Sequence, residues 1–200
     1  MSAPSAASIA APARPHRVCP WWLGYLLASP VRRLYYSPAK LLAPHVRPGM
    51  TVLEPGPGMG FFTLDLARLV GTSGRVISID IQPRMLDRLR RRVANAGLSD
   101  CVEACLAEPD SLGLADLDGA VDFTLAFEMV HEMPSAAGFF RQVARASKPG
   151  ARLLLAEPSG HVTESEFDAE LQAAREAGFA VVERPTVRAN FAAVLELASA

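Results

Sequence analysis

The chain has 200 residues, half of them hydrophobic, with 20 basic and 21 acidic side chains and a formal net charge of −1. That length and apolar content suit one substantial core and argue against a second full domain. The apolar stretch from Val18 to Val31 is broken by Pro20, Gly24, Ser29 and Pro30. It is shorter than the roughly 20 residues a membrane-crossing helix needs, so no membrane span is expected.

The charges are unevenly placed, because Arg14, Arg17, Arg32, Arg33, Lys40 and Arg47 all precede the first acidic residue, Glu54. Such a basic arm suits either a solvated tether or contact with an anionic ligand, a membrane surface or nucleic acid. Three cysteines, an odd number, in a chain without a charged, apolar and cleavable leader point to a reduced, cytoplasmic protein. Residues 1–17, rich in Ala, Ser and Pro, read as a disordered tail.

Trp21 to Leu27 and Pro38 to His45 read as short helices bounded by prolines, together a cap or lid over residues 18–48. From there residues 49–200 carry the main domain. Thr51 to Glu54 is a short apolar strand that runs into a glycine cluster, followed by helical spacing of Phe62, Leu66, Leu69 and Val70. Arg75 to Asp80 is a second strand, Pro83 to Asn95 a basic helix and Cys101 to Ala107 a third strand. Ala120 to Phe127 gives a fourth strand, Gly138 to Ser147 a helix, and Ala151 to Glu157 a fifth strand after the Lys148-Pro149-Gly150 stop. Glu164 to Ala177 is helical, and Phe179 to Val182 and Phe191 to Leu197 close the pattern as strands. Alternating strands and helices predict an α/β fold: a mostly parallel sheet with helices on both faces and a ligand site beyond the strand carboxyl ends.

The glycine cluster, Glu54-Pro55-Gly56-Pro57-Gly58-Met59-Gly60, lets the backbone turn sharply and approach a ligand without a Cβ in the way. Asp80 ends the second strand about 20 residues later, where a carboxylate can accept both hydroxyls of a ribose. A dinucleotide site wants a third small residue where helix packing begins, but counting from Gly56 or Gly58 that position is Phe61 or Thr63. A pyrophosphate also needs a free helix N-terminus. A ligand carrying a sulfonium and an α-ammonium instead gains from the Glu54 carboxylate, so charge favours S-adenosylmethionine.

Four segments in order, VLEPGPGMG (52–60), SID (78–80), TLAFEMVHEM (124–133) and KPGARLLLAEP (148–158), resemble the motifs of the class I S-adenosylmethionine-dependent methyltransferases. The resemblance runs from about Met50 to the C-terminus and implies a Rossmann-like sheet of seven strands. It further implies that Gly56, Gly58 and Gly60 line the methionine part of the cofactor and that Asp80 holds its ribose. Ile81, Ala107 and Glu108 would flank the adenine, with Phe127 and Glu128 beneath the cofactor at the fourth strand end. For Phe127 and Ile81 ordinary core packing is an equal reading.

Methyl transfer from a sulfonium is an in-line displacement that alignment and desolvation accelerate, so no catalytic side chain is obligatory. Where the acceptor must lose a proton, His131 after the fourth strand is a candidate general base, with Glu157 and His161 as weaker candidates. Each of these, and Glu132, is read in the first place as a loop brace or a solvated or capping side chain. Cys19, Trp22 and Tyr36 belong to an aromatic segment that suits a lid over the acceptor. Cys101 and Cys105, four apart in the third strand and therefore on one face, join Cys19 in a less favoured scheme for a thiol-bound metalloid acceptor. No resident metal is expected.

A small-molecule acceptor is the first reading, with no nucleic-acid partner expected. Nucleic-acid or protein methylation through Arg84, Arg88, Arg90, Arg91 and Arg92 is the alternative, and a non-catalytic S-adenosylmethionine-binding regulator is a third. The oligomeric state stays open, a homodimer included.

Overall fold

The computed structural model describes residues 36–108 and 110–199. The short helix Pro38–Leu42 (α1) precedes Thr51–Pro55 (β1), Thr63–Val70 (α2), Arg75–Asp80 (β2), Pro83–Asn95 (α3) and Val102–Leu106 (β3). Then come Val121–Phe127 (β4), Ala136–Ala146 (α4), Ser147–Pro158 (β5), Glu164–Glu176 (α5), Phe179–Glu183 (β6) and Asn190–Leu197 (β7). The expected helix Trp21 to Leu27 lies outside the described residues.

The seven strands form one sheet in the order β3-β2-β1-β4-β5-β7-β6. Pairings from β3 through β5 are parallel, while β7 runs antiparallel to both β5 and β6. The connection 184–189 explains the reversal, since so few residues cannot carry the crossover helix that a parallel neighbour requires. The expected mostly parallel α/β sheet is therefore what forms. Its chain path diverges between β1 and β4, and that is where a crevice opens at the carboxyl ends of the strands.

Side-chain alternation splits the core between the two sheet faces. Val52, Val76, Phe123, Leu125 and Leu154 pack on one face with Leu66, Ala67 and Val70 of α2, where α1 and α3 also lie. Leu53, Ile77, Ile79, Leu153 and Leu155 pack on the other with Phe139, Phe140 and Val143 of α4 and Phe167, Leu171 and Ala174 of α5.

Several boundaries differ from the sequence expectation by a few residues, and three of the differences have a clear local reason. α4 starts two residues before Gly138 because Ser135 caps it, its Oγ accepting the Gly138 N–H at 3.0 Å. β5 starts at Ser147, which pairs with Val121, and a register shift before the next pair, Phe123 with Arg152, absorbs Pro149 and the left-handed Gly150. β3 starts at Val102, since Cys101 belongs to a 3₁₀ turn over Ser99–Cys101.

That last difference corrects the cysteine reading. Cys101 is buried with Ala67 and Val76 on one face of the sheet, whereas Cys105, paired with Ile79, packs against the cluster on the other. They do not share a strand face and cannot hold one acceptor between them; Cys19 lies outside the described residues.

α5 begins with a reciprocal cap: the Thr163 hydroxyl accepts the Glu166 N–H at 3.3 Å and the Glu166 carboxylate accepts the Thr163 N–H at 2.8 Å. Thr163→Ala is expected to lower stability by about 1 kcal/mol, read as a shifted denaturant midpoint with unchanged slope.

Candidate active site

The loop after β1 leaves the sheet in a bend that only glycine adopts readily. Gly56, Gly58 and Gly60 have φ of 68°, 55° and 81°. The Gly56 N–H bonds Ile79 O at 2.8 Å, and Arg92 of α3 donates to Met59 O at 2.5 Å. The glycines serve different ends: a Cβ on Gly58 would meet nothing within 4 Å, but one on Gly60 would run into Leu89 of α3. Gly58 thus leaves room for a ligand at the bend, and Gly60 lets the loop pack on α3.

Two carboxyl groups support this bend from inside. Glu54 at the end of β1 is 3% exposed and accepts the Thr63 and Ser78 hydroxyls at 2.6 and 2.8 Å. Asp80 at the end of β2 is 9% exposed and accepts the Gln82 N–H at 2.8 Å, with Gly58 and Ile81 amides as further partners. Burial raises Glu54 to about 7, against the hydroxyl bonds, with the Asp80 charge adding to the rise. Burial likewise raises Asp80 to about 6, against the amide bonds, with help from the Glu132 charge. A cation arriving here would recover much of that desolvation cost.

Ala107 N–H bonds Asp80 O at 3.0 Å, so the end of β3 is tied to the end of β2. Ile81 is 38% exposed beside it, and Glu108 is exposed in a bridge with Ser111. Ile81, one half of whose expectation was core packing, is therefore a surface side chain at this edge. Phe127 takes the core reading: it is 8% exposed and packs on Phe62 at a ring distance of 4.5 Å.

The shelf beyond β4 is polar. Glu128 is in the left-handed region at φ 55°, its N–H bonding Ala156 O at 2.7 Å. Its carboxylate accepts from Asn190 at 3.1 Å and lies 3.3 Å from the Tyr36 hydroxyl, which donates to Arg188 O at 3.0 Å. Tyr36 also sets its ring edge on Phe127 at 5.5 Å. Fully buried Glu157, at the end of β5, accepts the Met129 and Val130 N–H groups at 3.3 and 2.8 Å and is bonded by His131 Nδ1. The His161 ring stands 6.1 Å from that of His131.

His131, Glu157, His161, Glu128 and Tyr36 thus meet on one ledge, on the same sheet edge as Gly58 and Asp80. Cys19 and Trp22 lie outside the described residues. Sequence reasoning missed the roles of Thr63, Ser78 and Asn190, and weighed Arg92 only as a surface cation. Thr63 and Ser78 carry no signal without the strand pairing, and Asn190 arrives only because β7 pairs with β5. The basic helix spends part of its charge internally: Arg90 donates to Ala104 O at 2.7 Å and Arg92 to the glycine loop. Among the described residues no cluster of metal-ligating side chains forms, and no helix is long and apolar enough to cross a membrane.

A sheet that diverges at β1 and β4, carries an antiparallel β7 and bends on glycines over an acidic strand end is that of the Rossmann-like methyltransferases. A family model described as a methyltransferase domain matches residues 47–197, and the chain belongs to that family. It is 35% identical over 120 residues to the ubiquinone/menaquinone biosynthesis C-methyltransferase UbiE of Klebsiella pneumoniae, covering 60% of this chain and 47% of that protein. It is 33% identical over 137 residues to an uncharacterized 37.1 kDa protein in transposon TN4556 of Streptomyces fradiae, covering 68% of this chain and 38% of that one. The chain thus spans less than half the length of these curated relatives. Among solved structures, a SAM-dependent methyltransferase from Aquifex aeolicus superposes with a TM-score of 0.81 at 26% identity, covering 90% of this chain and all of that one.

S-adenosylmethionine is the cofactor that family and fold imply, and the residues fit it. The open space at Gly58 admits a ligand, the desolvated Glu54 carboxyl group suits a methionine end whose sulfonium and ammonium outweigh its carboxylate, and the desolvated Asp80 carboxyl group suits hydroxyl donors.

Glu54 and Asp80 both bind protons more tightly folded than unfolded, where 4.5 and 3.8 apply. Their contribution to stability is therefore present in acid and lost as pH rises from about 4 through about 7. Glu54→Gln is expected to melt about 4 °C above the parent at about pH 8 and within about 1 °C of it at about pH 4, in thermal scans. Gly60→Ala should cost about 2 kcal/mol or more of stability, while Gly58→Ala should cost about 1 kcal/mol and chiefly weaken S-adenosylhomocysteine in calorimetry.

Proposed function

We propose that this chain transfers the methyl group of S-adenosylmethionine to a small-molecule acceptor. The observation that carries the reading is the buried Asp80 carboxylate, joined to the Gly58 amide at the divergence of β1 and β4. In this reading Asp80 accepts the ribose hydroxyls, Gly56, Gly58 and Gly60 bound the methionine end, and Ile81, Ala107 and Glu108 border the adenine. Glu128 lies at the floor of the cleft, backed by the core side chain Phe127. When bound, the cofactor supplies an electrophilic methyl group.

The small-acceptor part draws support from the UbiE relative, a ubiquinone/menaquinone biosynthesis C-methyltransferase, and from the engagement of Arg90 and Arg92 with backbone carbonyls. Tyr36, the first described residue, reaches Glu128, which supports a covering role for that end of the 18–48 segment, Cys19 and Trp22 lying outside the described residues. The cysteine content favours a cytoplasmic setting.

Calorimetry should show S-adenosylhomocysteine binding that Asp80→Ala weakens about 100-fold or more, in line with loss of charge-assisted hydrogen bonds. Incubation of methyl-labelled cofactor with fractionated cell extract should label the small-molecule fraction. Label in RNA or protein would overturn the acceptor assignment.

A further inference from the structure

One buried carboxylate organises the ledge beyond β4. Glu157 grips three successive residues, taking the Met129 and Val130 amides on Oε1 and His131 Nδ1 on Oε2. Two amide bonds already anchor the loop. A third bond, to an imidazole whose side chain is 21% exposed, adds something a brace does not need: a partly exposed ring that can take up a proton.

With Nδ1–H donated to Glu157, the neutral ring keeps its lone pair on Nε2. Nε2 lies 4.0 Å from Glu132 Oε1, and the His161 ring crosses the His131 ring at 62°. β4 and β5 are parallel neighbours, so His131 and Glu157 stand at the same sheet edge as the glycine bend.

We infer that His131 is the general base that takes the acceptor's proton at Nε2, with Glu157 as its positioning residue. The acceptor class follows: an attacking atom that carries a proton, as in a phenol or enol hydroxyl or an ammonium, and not a thioether, tertiary amine or carboxylate. This deepens the methyltransferase reading and rests on it. In the step, the Nε2 lone pair forms the new N–H bond, the X–H electrons remain on the acceptor atom X, and Glu157 faces the resulting imidazolium. The proton then leaves Nε2 for water. The electron pair left on X would form the new X–CH3 bond to the methyl group that the bound cofactor supplies, and the electrons of the methyl–sulfur bond would stay with the sulfur.

The surroundings suit a base that works near neutrality. Burial lowers the His131 pKa, but the Glu157 bond and charge, with the charges of Glu132 and Glu128, outweigh it and hold the ring above 6.5. Glu170 stands on the buried stripe of α5 between Phe167 and Leu171, on the sheet face toward which Glu157 also points. It is 8% exposed, its Oε2 has no partner, and burial with the Glu157 and Glu166 charges raises it to about 8. A neutral acid at that place adds no further charge behind Glu157.

The test is nitrogen NMR of the histidine rings in ¹⁵N-labelled full-length protein loaded with S-adenosylhomocysteine, from about pH 5 to about pH 9. His131 should be the Nδ1–H tautomer when neutral, and Glu157→Gln should lower its proton affinity about tenfold or more. Phenol or benzylamine at roughly millimolar concentration should move the Nε2 signal while anisole does not. A response to phenol alone assigns a hydroxyl acceptor, and one to benzylamine alone an ammonium. An Nε2–H tautomer, a titration unmoved by Glu157→Gln, silence toward both probes, or an equal response to anisole would overturn the assignment. The tautomer and probe measurements use the parent protein, so they decide even where Glu157→Gln fails to fold. Failure of S-adenosylhomocysteine to bind would strike the methyltransferase reading itself.

Discussion

A carboxylate at the end of a buried parallel strand has lost most of its water, and neighbouring donors or a ligand must replace it. This molecule places Glu54 at the end of β1, Asp80 at the end of β2 and Glu157 at the end of β5, all under 10% exposed. Hydroxyls of Thr63 and Ser78 serve Glu54, loop amides serve Asp80, and two amides with an imidazole serve Glu157. The loops around the crevice take their shape from those bonds.

The three differ in what they face. Glu54 and Asp80 are left with raised proton affinity, so their part of the crevice is poised for positive charge. Glu157 instead holds a titratable ring and raises the proton affinity of that ring. Electrostatics thus distinguishes the half of the sheet edge near β1 and β2, where carboxyl groups have raised proton affinity, from the half beyond β4 and β5, where a carboxylate holds an imidazole. The divergence of the chain between β1 and β4 sets these halves side by side.

Strain is concentrated at the same edge. Glu128 is one of two non-glycine residues with positive φ among the described residues, and it directly follows β4. Its short bond to Ala156 O and its contacts with Asn190 and Tyr36 come from three separate parts of the chain. A left-handed glutamate held by that many partners fixes where the loop carrying His131 departs, which is how backbone strain is turned into position.

Period and punctuation in the sequence determined the element order, the glycine bend after β1 and Asp80 at the end of β2, because those signals are local: alternation, helical spacing, and glycine or proline at chain reversals. The class of the cofactor was legible for the same reason, since bend, acid and charge preference lie within one strand-loop-helix-strand unit. Only the tertiary structure decided what each polar side chain does. Glu157 and His131 are 26 residues apart in sequence, and it is the pairing of β4 with β5 that makes them partners. Asn190 reached the ledge because a short connection forces β7 antiparallel beside β5. Cys101 and Cys105 parted because the strand began one residue later than its composition suggested. Hydrogen bonds between distant strands depend on register, and register is set by how whole faces bury together, which no short window of sequence contains.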